Sequence, residues 1–223
     1  MTSREFRDRL LKRARKADVQ VVPAVLELLE AYYRLLAKWN EKINLTALPL
    51  RELTDAALDR LLIEPLAAAR YIPEGAVVWF DLGSGGGSPA LPLKAVRPSA
   101  RLTLVESKAR KAAFLREAIR SLGLSGAVVD GVRFEELVGR TTLHRTAQLV
   151  TVRAVRLDKA FFDVARTLLA PDGSLFLFSS FEMGPRVAKG FETHQTVRLA
   201  PAARIGSLPS SQLVILRRTA ASA

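Results

Sequence analysis

Apolar positions change their rhythm about a third of the way along the chain. Before that point they recur at helical spacing. Val25, Leu28, Leu29, Tyr32, Leu35, Leu36 and Trp39 share one face of a helix predicted from Val21 to Trp39. Such a stripe belongs to an amphipathic helix that packs on something larger. Arg4 to Lys16 reads as a basic helix or arm. Asn40 to Leu48 breaks the period. Leu50 to Arg70 is helical again, with Pro65 as its point of division.

After Pro73-Glu74-Gly75, short apolar runs alternate with longer helical ones. Strands are predicted at Val77–Leu82, Arg101–Glu106, Ala127–Asp130, Leu149–Arg153 and Ser174–Phe178. Thr196–Leu199 and Gln212–Arg217 supply the last two. Helices are predicted at Pro89–Val96, Lys108–Leu122, Phe134–Val138 and Leu157–Leu169, the last stopped by Pro171-Asp172-Gly173. Strand–helix alternation predicts an α/β fold, a mostly parallel sheet with helices on both faces. Two final strands with little helix between them predict a closing antiparallel hairpin. The division expected is a helical extension, residues 1–72, and a sheet domain, residues 73–223. The stretch from Phe181 to Ser207 is weakly patterned.

The strongest local signal is Phe80-Asp81-Leu82-Gly83-Ser84-Gly85-Gly86-Gly87-Ser88-Pro89, a strand followed by glycines and a helix start. Glycines there permit a tight turn and close approach of a ligand. A dinucleotide fingerprint counted from Gly83 needs Gly at 88, where Ser88 stands. No Lys-Ser or Lys-Thr follows, so the loop is not a P-loop. Asp81 would repel a pyrophosphate and suits a ligand with a cationic amino-acid end. S-adenosylmethionine (SAM) has that ammonium group and no phosphate. Glu106, at the tip of the second strand, is placed to hold a ribose diol. Asp130, followed by Arg133-Phe134-Glu135, lies beside it and could supply an adenine contact.

Charge points to the partner. The 223 residues carry 34 Lys and Arg against 22 Asp and Glu, a net charge of +12. Anionic partners follow, nucleic acid first and an anionic membrane surface second. No run of apolar residues is long enough for a membrane span, and the basic N-terminus lacks the apolar core of a secretory signal. A cytoplasmic protein is expected. The chain has no Cys, which excludes a disulfide scaffold, a thiolate metal site and a Cys nucleophile. His144 and His194 are too far apart for a local metal motif, and no metal is expected.

Several stretches resemble the glucose-inhibited division protein B family, the small-subunit ribosomal RNA guanine-N7 methyltransferases. They are Lys38-Trp39-Asn40-Glu41-Lys42-Ile43-Asn44-Leu45-Thr46, the loop from Asp81 to Pro92, Leu104-Val105-Glu106-Ser107 through Arg116, and Val152-Arg153-Ala154. The Trp-Asn and Asn-Leu-Thr elements are the most family-specific. The resemblance implies a Rossmann-like class I SAM-dependent methyltransferase with a seven-stranded sheet, so that 73–223 becomes the SAM-binding domain. It implies cofactor contacts at Gly83, Ser88, Phe134, Glu135 and Arg153, beside the Asp81, Gly85, Gly87 and Glu106 read from the loop itself. It places Arg110, Arg133 and Arg153 at the cofactor and RNA face. It implies ribosomal RNA, as naked RNA or assembled 30S particle, as partner. Nothing demands more than a monomer.

There are departures. The family usually has a bulky apolar residue at Ser88, Gly at Ala90, a His-x-x-Asp-Ser stretch at Ala56–Arg60, and Lys-Gly where Ser179-Ser180-Phe181-Glu182 stands. These leave open a SAM-dependent methyltransferase on another substrate, or a basic RNA-binding protein that keeps the fold without turnover. Phosphate contacts are expected from Arg4, Arg7, Arg9, Lys12, Arg13, Arg15 and Lys16, and from Lys108, Arg110 and Lys111. Trp39 is read as a clamp between extension and sheet, Trp79 as core, and Asn44 and Thr46 as closing a turn.

Overall fold

The computed structural model describes residues 2–75, 77–179, 190–199 and 211–219. Helices α1 (Ser3–Lys16) and α2 (Pro23–Asn40) come first. A continuous helical stretch follows: α3 (Asp55–Leu58), a wide π turn (Asp59–Ile63), α4 (Glu64–Ala68) and a 3-10 turn (Ala69–Tyr71). Then come β1 (Val78–Leu82), α5 (Ala90–Val96), β2 (Arg101–Val105), α6 (Ala109–Ser121), β3 (Ala127–Asp130) and β4 (Ala147–Arg153). The chain continues through α7 (Lys159–Leu168), β5 (Leu169–Ser179), β6 (Phe191–Arg198) and β7 (Gln212–Arg218).

The seven strands run in the order β3-β2-β1-β4-β5-β7-β6. The first five are parallel; β7 is antiparallel to both β5 and β6. The order reverses between β1 and β4, and that switch point opens a crevice at the carboxyl ends of the strands.

Side chains alternate between the two faces. Trp79, Leu104, Leu149, Phe176 and Ile215 point to one face and join a single apolar core with α1 to α6. Phe80, Val105, Val150, Leu175 and Val214 point to the other and pack with Phe161, Ala165 and Leu168 of α7. The N-terminal helices therefore share a core with the sheet. Trp39 belongs to that junction: its ring meets Phe114 of α6 edge-on, with centroids 5.8 Å apart. The turn after α2 is closed by Asn40, whose Oδ1 accepts the N–H groups of Leu45 (2.8 Å) and Thr46 (3.0 Å). Thr46 Oγ1 accepts from Leu48.

Several element boundaries differ from the sequence pattern. Strand β6 runs Phe191–Arg198, not Thr196–Leu199, because its exposed stretch from Glu192 to Thr196 leaves no apolar run. The helix expected at Phe134–Val138 is a 3-10 turn, Phe134–Gly139. The third helical stretch begins at Asp55, not Leu50, because Thr54 caps it by accepting the Ala57 N–H at 3.1 Å. It is not divided at Pro65; the π turn absorbs the proline. Helix α7 stops at Leu168, before Pro171-Asp172-Gly173. That tripeptide lies inside β5, which starts at Leu169, since the residue ahead of a proline is held extended. The Ser180-Phe181-Glu182 departure lies outside the described residues.

Helix α1 is an ordered helix and not a loose arm. Arg7 pairs with Glu30 at 3.3 Å, Arg9 with Asp55 at 2.9 Å, and Arg13 is buried against Asp59. These three cations hold the extension together, which leaves Lys12, Arg15 and Lys16 on its outer side.

Leu36 is fully buried where α2 meets the sheet domain. Leu36→Ala is expected to cost about 2–5 kcal/mol through lost burial and a residual cavity. A lower urea midpoint with an unchanged slope checks this.

Candidate cofactor crevice

The glycine loop leaves β1 and is tied at once to β2. Gly83 and Ser84 N–H both donate to Val105 O, at 2.9 and 3.1 Å. Gly85 N–H donates to Glu106 Oε2 at 2.9 Å, and Gly87 N–H to Ser84 O at 2.7 Å. Four loop amides are thus spent within the protein, so they make no cradle of free N–H groups for a pyrophosphate. Two glycines are sterically required. Gly83 has φ +72°, and a Cβ there would meet Val155 Cγ2 at 2.6 Å; Gly87 has φ +83°, and its Cβ would meet Leu91 Cδ1 at 2.5 Å.

Two carboxylates flank the loop. Glu106 uses one oxygen for Gly85 and the other for the Lys108 N–H at 2.8 Å. It therefore braces the loop, and each oxygen keeps a further lone pair. Asp81 lies behind the loop, almost wholly buried. Trp79 Nε1 donates to Thr151 Oγ1 at 2.8 Å, and Thr151 Oγ1 donates to Asp81 Oδ1 at 2.5 Å. Burial pushes the Asp81 carboxyl up to about 6, against the Thr151 hydrogen bond, which favours the anion.

The extension closes the crevice from above through a defect in its own helix. In the π turn the Glu64 N–H donates to Asp59 O, one residue beyond the usual acceptor, and this frees Arg60 O. Pro65 has no N–H to offer Leu61 O. The sheet domain fills both vacancies: Arg153 Nη1 donates to Arg60 O, and Ser88 Oγ to Leu61 O at 2.9 Å. Tyr32 adds a third tie, its hydroxyl donating to Gly86 O at 2.7 Å.

Arg153, the last residue of β4, has its side chain enclosed between the extension and the sheet. Its guanidinium pairs with Glu64 at 2.8 Å, reaches Ser88 Oγ at 3.3 Å and lies over the Phe178 ring, 4.7 Å from the centroid. Burial lowers its pKa to about 10 and raises that of Glu64, while the charge of each partner opposes the shift of the other. Its Nε is buried without a hydrogen-bond partner. Ala154 then turns the chain with φ +57°.

Asp81, Gly83, Gly85, Gly87, Ser88, Glu106 and Arg153 come together at the crevice, although the Ser88 hydroxyl is turned to the extension. Asp130 sits at the neighbouring β3 tip, where its backbone carbonyl accepts the Glu106 N–H at 3.0 Å; its carboxylate pairs with Arg140. Phe134 is half-buried, edge-on to Phe161 at 6.0 Å. Glu135 and Arg133 are exposed and 3.7 Å apart, and Arg110 is exposed on the first turn of α6. These last three are surface residues in the segments that follow β2 and β3. Glu64, Arg60, Tyr32 and Thr151 join the site without having been expected from the sequence pattern. The available signal was a lone acid inside the apolar run Leu61-Leu62-Ile63-Glu64-Pro65-Leu66.

The crevice suits SAM. It offers buried carboxylates, half-exposed glycines and no free amide cradle for phosphate. Among the described residues, no group of His, Asp and Glu could hold a metal ion. No helix among them is long and apolar enough to cross a membrane.

The model of the GidB family, rRNA small subunit methyltransferase G, matches residues 25–183. Curated relatives named ribosomal RNA small subunit methyltransferase G include one from Halorhodospira halophila, 38% identical over 73% of this chain and 74% of its own length. Another, from Xylella fastidiosa, is 37% identical over 82% of this chain and 75% of its own. A SAM dependent methyltransferase from Aquifex aeolicus shares the fold with a TM-score of 0.54 at 13% identity, covering 74% of this chain and 94% of that one. Pyrococcus horikoshii TYW2, solved in complex with MeSAdo, also gives 0.54 at 16% identity, covering 74% and 64%.

The Asp81 shift has a defined sign. A buried acid with a raised pKa adds stability below its unfolded value of about 3.9 and loses it as pH rises through the folded value. Asp81→Asn is therefore expected to raise the melting temperature of the cofactor-free protein at pH 7.5. The difference from wild type should vanish near pH 4. Paired calorimetric scans at the two pH values check this.

Proposed function

The chain belongs to the GidB family of small-subunit ribosomal RNA methyltransferases G, and from that premise we propose that it transfers the SAM methyl group to N7 of a guanine in small-subunit ribosomal RNA. The observation that carries the cofactor half of this reading is the glycine loop, with four of its amides already spent, set between Asp81 and Glu106. The acceptor half rests on the relatives' names and on the net charge of +12. The protein acts in the cytoplasm as a monomer, on RNA and not on a membrane. Residues 1–72 serve as the lid of the SAM domain formed by 73–223.

SAM, when bound, supplies a methyl group on a sulfonium that is open to in-line attack. Guanine N7 has a free lone pair at neutral pH, so no general base is needed. The chain's own contribution is orientation and exclusion of water. Gly83, Gly85 and Gly87 let the ligand approach the backbone, and Glu106 takes the ribose hydroxyls on its remaining lone pairs. Asp81 offers negative charge to the cationic amino-acid end. Phe134 and Glu135 border the adenine side. Ser88 and Arg153 form the wall beneath the extension. Positive charge moves onto the guanine during transfer, so a cation at N7 itself would oppose it. Arg153, Arg133 and Arg110 therefore act on guanine O6, a phosphate or the cofactor, not on N7.

Calorimetric titration with SAM tests the cofactor, and nucleoside mass spectrometry of 30S RNA after incubation tests the acceptor. Wild type should bind saturably and yield N7-methylguanine, and Glu106→Ala should lose both. Binding without any RNA methylation would redirect the search to another acceptor. Absence of binding would leave only the fold.

A further inference from the structure

On the sheet edge opposite the crevice, three arginines from separate elements converge. Arg145 precedes β4, and its backbone, at φ +56°, is fixed by its N–H donating to Thr167 O at 2.9 Å. Few non-glycine residues adopt that conformation. Arg166 is the neighbour of Thr167 in the last turn of α7. The Arg166 stem crosses Gly190 so closely that a Cβ there would meet Arg166 Cδ at 3.1 Å. Gly190 O accepts the N–H of Thr219, and the next residue, Phe191, pairs with Arg218. Backbone contacts thus place Arg145, Arg166 and Arg218 around one point.

That cluster is under-neutralised. Arg166 shares Asp163 (3.4 Å) with Lys159 (2.6 Å). Among the described residues, Arg145 and Arg218 have no ion pair. Arg217, next along β7, faces Glu192 in the strand register without pairing to it. Burial, followed by the Arg145 and Arg166 charges, lowers the pKa of Arg218. A helix end favours Arg166, but among the described residues nothing comparable accounts for Arg145 or Arg218. Folding therefore holds like charges together at a cost.

We propose that Arg145, Arg166 and Arg218 form a phosphate-binding site for the RNA backbone, separate from the cofactor crevice. This rests on the reading that the acceptor is RNA. The register gives the separation: on β5, Phe178 pairs with Arg153 and Ser174 with Arg217, so that Arg218 lies one position further from the crevice. Five residues of strand span about 17 Å, roughly five stacked nucleotides at about 3.4 Å each. A polynucleotide reaches both places at once and a mononucleotide does not. The site selects a long, backbone-presenting acceptor and carries no base specificity.

The test compares wild type with Arg145→Gln/Arg166→Gln/Arg218→Gln by fluorescence anisotropy on small-subunit ribosomal RNA across a salt series. The log–log salt slope should fall by about 2, at roughly 0.7–0.9 for each phosphate no longer neutralised. SAM affinity should stay unchanged. Arg218→Gln alone should raise the melting temperature while weakening RNA binding, as expected where function holds repelling charges together. If the triple variant unfolds, the exposed Arg145→Gln variant is read alone for a fall in slope of about 0.8. An unchanged slope with RNA methylation intact overturns the site. So does lost binding to anionic phospholipid vesicles with RNA binding unaltered. Failure of the wild type to methylate RNA is a separate result, and it overturns the functional reading first.

Discussion

Two carbonyl oxygens released from a helix join the N-terminal segment to the sheet. Regular α-helical bonding would have consumed both Arg60 O and Leu61 O. The π turn frees the first and Pro65 the second. Arg153 and Ser88 reach up from the carboxyl edge of the sheet to satisfy them. A buried carbonyl without a donor is costly, so these bonds hold the helical stretch in one position over the switch point. The enclosure of the crevice depends on that position.

The same junction concentrates buried charge. Glu64, Arg153 and Asp81 all lie within the protein at the carboxyl end of the sheet. Each is disfavoured there alone. Glu64 and Arg153 compensate one another, while Asp81 has the Thr151 and Ser84 hydroxyls and more distant charges. Such groups are poor contributors to stability and good ones to recognition. The arrangement explains why a nominally separate helical segment matters to the site: without Glu64, the buried Arg153 would lose its ion-pair partner.

Much of this was legible in the chain itself. The positions of β1 to β4 and of β7 followed from short apolar runs, whereas β6, exposed along most of its length, left no such run; the glycine loop with Asp81 and Glu106 was visible as local spacing. The helical stripe from Val25 to Trp39 showed which face α2 buries. What escaped were pairings across long sequence separations. Glu64 with Arg153 and Tyr32 with Gly86 leave no local period, because each depends on how α2 and α4 dock. Pro65 suggested a break, yet a π turn can absorb a proline when outside donors take the freed carbonyls. Pro171 suggested a helix stop, yet the strand begins earlier because Leu169 and Ala170 are already extended. The basic residues of α1 looked like an arm for phosphate, but carboxylates on α2, α3 and the π turn claim Arg7, Arg9 and Arg13.

The strand order also sets a schedule for biosynthesis. Strand β7, made after both of its neighbours, is inserted between β5 and β6. Until it emerges from the ribosome, β5 has an open edge and β6 has no neighbour. The apolar side chains Leu213, Val214, Ile215 and Leu216 supply the missing layer to both faces. A nascent chain can assemble the crevice half of the sheet early, through local strand–helix–strand contacts. It cannot close the other half until β7 itself has been made. The exposed edge of β5 in that interval is the point at which an incompletely made copy is most open to aggregation or to capture by a chaperone.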